Sequence, residues 1–68
     1  TRILTPDAVV NFAFAQTKGQ ATSLNSWSVK NEKGRFVYDV EFGAANHQEI
    51  EVHVDAFTGE LVSVKGVK

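Results

Sequence analysis

Two periodicities divide the chain. From Thr5 onward, Ala8, Val9, Phe12, Ala13 and Ala15 recur at spacings of three and four and form one broad apolar stripe on a helix. Thr5-Pro6-Asp7 supplies the start: a hydroxyl to cap, a proline at the first helical position where no N–H is needed, and a carboxylate at the positive end of the dipole. Lys18-Gly19 supplies the stop, a basic last turn followed by a glycine. The pattern predicts a helix over about residues 5–18. Val10 and Phe14, four apart, form a second apolar pair away from the main stripe. Either the rest of the chain wraps far enough to cover them or they form a partner-facing patch.

After Gly19 the period changes to two. Trp27 and Val29 share a parity, then Phe36, Tyr38, Val40 and Phe42, then Ile50, Val52 and Val54, while Asp39, Glu41, Glu49, Glu51 and His53 occupy intervening positions. The pattern predicts strands over about residues 24–30, 35–42, 48–55 and 60–65, each buried on one face. Such alternation belongs to an antiparallel sheet covered on one side, and the helix is the available cover. The expected fold is therefore α+β: one N-terminal helix packed on one face of an antiparallel meander of three to four strands, with residues 1–68 as a single domain.

The connections fit hairpins. Asn31-Glu32-Lys33-Gly34 reads as a type I turn with asparagine first and glycine last. Gly43 to His47 is too short for the crossover that a parallel pair requires. In Asp55-Ala56-Phe57-Thr58-Gly59 the carboxylate is placed to accept backbone N–H groups two and three residues on, and Gly59 to adopt a positive φ. The last four residues, Lys65 to Lys68, are expected to fray.

Composition narrows the function classes. A core built from 68 residues supplies only about 3–5 kcal/mol. With no cysteine, neither a disulfide nor a thiolate zinc site can supplement it. Seven basic residues against eight acidic leave no surplus for phosphate neutralisation, so nucleic acid is not an expected partner. No apolar run approaches the roughly 18–20 residues that span a bilayer, and membrane insertion by this segment is not expected. The chain begins at Thr1 and has no methionine, as would a piece of a longer precursor.

The chemistry that would mark an enzyme is missing from the sequence: there is no GxSxG elbow, HExxH helix, phosphate-binding glycine loop or cysteine nucleophile. No catalytic residue and no cofactor are assigned. Asp39, Glu41, Glu49, Glu51 and His53 could share the polar face of the sheet and attract a divalent cation. Outward positions of a half-buried sheet are ordinarily charged, however, and these are read as a solvated face with no metal. His47, in a loop, receives no role. Trp27 and Tyr38 have the parity of the core face and are read as packing residues rather than a stacking platform.

Tyr38-Asp39-Val40-Glu41, followed by Glu51-Val52-His53-Val54-Asp55-Ala56-Phe57-Thr58-Gly59-Glu60-Leu61, resembles the signature half of a PepSY domain. That family combines a tyrosine-containing alternating strand, a second alternating strand and an Asp-Ala-x-Thr-Gly-Glu turn leading into an apolar strand. Tyr38, Asp55, Ala56, Thr58 and Gly59 carry the likeness as structural positions. The helix beginning Thr-Pro-Asp-Ala extends it over nearly the whole chain, although Phe12 and Phe14 make that helix more aromatic than the family's usual pattern. The resemblance implies a non-catalytic module of secreted or envelope proteins that inhibits or regulates a peptidase or engages another envelope protein. The alternative is a structural spacer or self-associating repeat, a homodimer with Val10 and Phe14 buried against a second copy. For strand addition by a partner, both outer strands, Leu24 to Val29 and Leu61 to Lys65, are open.

Overall fold

The computed structural model describes residues 4–67. One helix, α1 (Pro6–Ala15), precedes four strands, β1 (Ala21–Glu32), β2 (Arg35–Ala44), β3 (Glu49–Asp55) and β4 (Leu61–Lys65), with a 3-10 turn at Ala45–His47. The strands form one antiparallel sheet in the order β1-β2-β3-β4, an α+β meander.

The helix begins where its capping residues place it. Thr5 is extended and its Oγ1 accepts from the Ala8 N–H at 3.3 Å, with Pro6 in the first turn and Asp7 beside it. The end comes earlier than residue 18. The N–H groups of Gln16 and Thr17 donate to Ala13 and Phe14, three residues back, and the Thr17 hydroxyl also donates to the Phe14 carbonyl at 2.7 Å. These shorter-range bonds tighten the last turn out of α-helical geometry. Lys18 and Gly19, both at positive φ, then reverse the chain into β1, which starts at Ala21 rather than near residue 24.

The first hairpin turns more tightly than a type I turn over Asn31–Gly34 would. Glu32 pairs with Arg35, so only Lys33 and Gly34 form the loop, with φ of 53° and 83°. Two positive φ values are the mark of the primed turns whose twist matches that of the flanking strands. Asn31 still contributes, since its Oδ1 accepts the Gly34 N–H at 2.9 Å.

The core lies between α1 and the middle of the sheet. Val9 and Ala13 of α1 pack with Tyr38, Val40, Phe42, Ile50, Val52, Val54 and Ala56. Cross-strand partners Phe42 and Ile50, and Val40 and Val52, are the centre of it. Each such side chain contributes about 1.5–3 kcal/mol when fully removed from water. The helix contacts β2 and β3. A helix is about 10–12 Å across with its side chains and strands are about 4.8 Å apart, so one helix covers about two strands. The two outer strands are therefore left partly uncovered.

The chain beyond β4 is ordered against the domain rather than frayed: Val67 packs on the core. Lys68 lies outside the described residues.

Candidate functional site

The Asp55–Gly59 turn and Tyr38 are brought together by the segment before the helix. Asp55 Oδ1 accepts from the N–H groups of Phe57 at 2.8 Å and Thr58 at 2.9 Å, and Gly59 sits at φ 77°. Ala56 donates to the Phe36 carbonyl and accepts from the Leu4 N–H at 2.8 Å, while the Tyr38 hydroxyl donates to the Leu4 carbonyl at 2.7 Å. Thr58 Oγ1 accepts the Glu60 N–H. All five motif positions thus serve the closure of the β3–β4 connection and the anchoring of Leu4.

Arg35, which no local pattern in the sequence marks, joins this turn. Its Nε donates to Asp55 Oδ2 at 2.9 Å. The Val37–Asp55 register places Arg35 diagonally across from the carboxylate, a relation no local motif encodes. The Thr58 and Phe57 N–H groups, followed by Arg35, hold the Asp55 carboxyl at about 2, well below the ordinary 3.8.

Both outer strands expose apolar side chains, Leu61 (43%) and Val62 (38%) on β4 and a longer row on β1. Leu24, Trp27 and Val29 pair with Phe42, Val40 and Tyr38 and so share the core face, yet they remain 48%, 45% and 39% exposed. Trp27 therefore only half fits its reading as a packing residue. Its ring meets that of Tyr38 at 5.9 Å, but the helix does not reach far enough to close over it. Pro6, Asp7, Val10 and Asn11 of the helix side face Leu24 and Trp27 across an open groove. Val10 is half-buried against the core, whereas Phe14 is 48% exposed and packs edge-on to Phe42 at 5.8 Å.

The two edges differ. Strand β1 carries no charged residue from Ala21 to Val29, and its register shifts fall before Ser26, so the ladder runs regularly from there to Glu32. Strand β4 is shorter and ends in Lys65. Lys30 and Glu32 lie at the far end of β1, so Ser26–Val29 is the stretch both uncharged and regularly paired, and there the edge lacks the charges and bulges that discourage pairing with another strand.

The polar face of the sheet is not uniformly solvated. Asp39 is only 5% exposed. Lys30 Nζ meets its Oδ2 at 2.9 Å, and that carboxylate raises the ammonium above its ordinary pKa. His53, directly opposite Asp39 on β3, has Nε2 at 2.8 Å from Glu51 Oε1 and at 3.4 Å from Asp39 Oδ1. Of the other two acidic residues on this face, Glu41 accepts from the Ser26 hydroxyl at 3.1 Å, and Glu49 is exposed at the start of β3.

The family model for the PepSY, or peptidase propeptide and YPEB, domain matches residues 3–65. The chain belongs to the PepSY family. Comparison with curated proteins and with solved structures gave no match. PepSY membership agrees with the propeptide-like architecture that Tyr38 and the Asp55–Gly59 turn suggested. Among the described residues no helix is long and apolar enough to cross a membrane.

Proposed function

We propose that this PepSY domain is a non-catalytic regulatory module of a secreted or envelope protein, and that it modulates a peptidase by accepting an extended segment of it along the outer edge of β1. The observation that carries this reading is the open β1 edge, uncharged from Ala21 to Val29, with Leu24, Trp27 and Val29 left half-exposed on the helix side of the sheet. Strand addition would use the free backbone groups of β1 for affinity, and the groove between Val10, Leu24 and Trp27 would receive an apolar side chain for selectivity. The family's peptidase-propeptide description supports a peptidase as the partner.

The helix gives the self-association alternative less support. Val10 is half-buried within its own chain and Phe14 already meets Phe42, so neither requires a second copy.

The test is an inhibition assay against secreted metallopeptidases with wild-type domain and Trp27→Ser. Wild type should inhibit, and Trp27→Ser should weaken inhibition at least ~10-fold with an unchanged fold, as the loss of an aromatic anchor would. No inhibition by wild type at high micromolar concentration, or equal inhibition by the variant, would refute the reading. A wild-type dimer lost on Phe14→Ser would favour self-association instead.

A further inference from the structure

On the face of the sheet opposite the helix, the pairing of β2 with β3 brings Asp39, Glu51 and His53 into one group. Each offers one donor atom, and the three atoms lie within 4.8 Å of one another. Asp39 is more than nine-tenths buried, and its Oδ1, aimed at His53, has no hydrogen-bond partner. A buried carboxylate oxygen left without a donor is costly.

The histidine cannot remove that cost alone. Nε2 carries at most one proton, and Glu51 Oε1 at 2.8 Å is the nearer acceptor, so Asp39 Oδ1 at 3.4 Å stays unserved. If Nε2 is unprotonated, its lone pair faces two carboxylates, which is worse. Lys30 occupies the other oxygen of Asp39 and leaves Oδ1 open. A cation between the three atoms would satisfy them together.

The donor set and spacing specify the cation. Metal–ligand bonds of about 2.0–2.2 Å imply donor separations of about 3.3 Å in a tetrahedron and about 3 Å in an octahedron. The two distances from Nε2, 2.8 and 3.4 Å, lie near those values, and the two carboxylate oxygens, within 4.8 Å of each other, would draw together on a shared ion. Calcium and magnesium favour all-oxygen sites, whereas an imidazole with two carboxylates suits zinc and its first-row neighbours. The geometry points to a divalent transition-metal site in which Asp39 Oδ1, a Glu51 carboxylate oxygen and His53 Nε2 are the protein ligands and water completes the coordination. The site lies on the face away from the β1 groove and is independent of the peptidase reading.

Zinc chloride titrated into the domain, followed by calorimetry and by the histidine ring resonances, tests this. One equivalent of zinc should bind, shift the His53 ring signals and not those of His47, and raise the melting temperature, while calcium at the same concentration should do none of these. His53→Gln should weaken zinc binding at least ~10-fold, and so should Glu51→Gln, whose partly exposed position makes it the safer variant for folding. His47→Gln should leave binding unchanged. Absence of zinc binding at millimolar concentration would overturn the proposal, as would binding that survives both His53→Gln and Glu51→Gln, or that disappears with His47→Gln.

Discussion

Removing one oxygen atom, in Tyr38→Phe, isolates the tie between the sheet and the segment that leads into the helix. The Tyr38 side chain is buried in the core and its hydroxyl donates to the Leu4 carbonyl at 2.7 Å, while the Leu4 N–H donates to Ala56 at 2.8 Å. Phenylalanine keeps the ring in the core cluster opposite Val54 and its contact with Trp27, so the cost is that of the hydrogen bond alone. A typical net contribution is about 1 kcal/mol, rising towards about 3 kcal/mol if the abandoned carbonyl stays dry. Leu4 is half-buried and water can reach it in part, so about 1–1.5 kcal/mol is expected. That is about a fifth to a half of the about 3–5 kcal/mol available to a domain this small. It should lower the melting temperature by about 4–12 °C. Urea unfolding should show a lower midpoint with an unchanged m-value, and hydrogen exchange should show faster exchange at the Leu4 amide. An unchanged midpoint together with unchanged Leu4 protection would refute the view that Tyr38 anchors this segment.

The depressed pKa of Asp55 sets a second expectation. Its folded value, about 2, lies below the ordinary 3.8, so the stability it contributes is fully present above pH ~4 and is lost as pH falls from there through about 2. Urea midpoints should fall more steeply over that window in wild type than in Asp55→Asn, and parallel profiles would show that the turn does not hold the charge. At the first hairpin, Lys33 occupies a positive φ that costs a non-glycine residue about 1 kcal/mol, which Asn tolerates better. Lys33→Asn should therefore raise the urea midpoint by an amount equivalent to about 0.5–1 kcal/mol, and a lower midpoint would contradict the primed-turn geometry.

Local chemistry made much of the fold legible in the sequence. Thr5-Pro6-Asp7 set the helix start through groups within three residues of one another. The alternation through Phe36–Phe42 and Ile50–Val54 marked the face of the central strands that carries the core, although Val37 and Asp39 on the other face of β2 are buried as well, and the Asp55 turn closes through N–H groups two and three residues away. Interactions of this range can be read from spacing alone. The helix end could not, because it depends on the Thr17 hydroxyl competing for the Phe14 carbonyl and on the reversal at Lys18 and Gly19.

What only the tertiary structure decided concerns coverage and distance. Parity placed Trp27 on the core face correctly, but whether a core face is covered depends on how many strands one helix can span, and β1 lies beyond that width. Likewise, alternation placed Asp39, Glu51 and His53 on the polar face, while the pairing of β2 with β3 brought their donor atoms together and buried Asp39 Oδ1 without a donor. The sequence determined the direction in which each side chain points. The three-dimensional packing determined what it meets there, because burial and ion pairing depend on neighbours supplied by other strands.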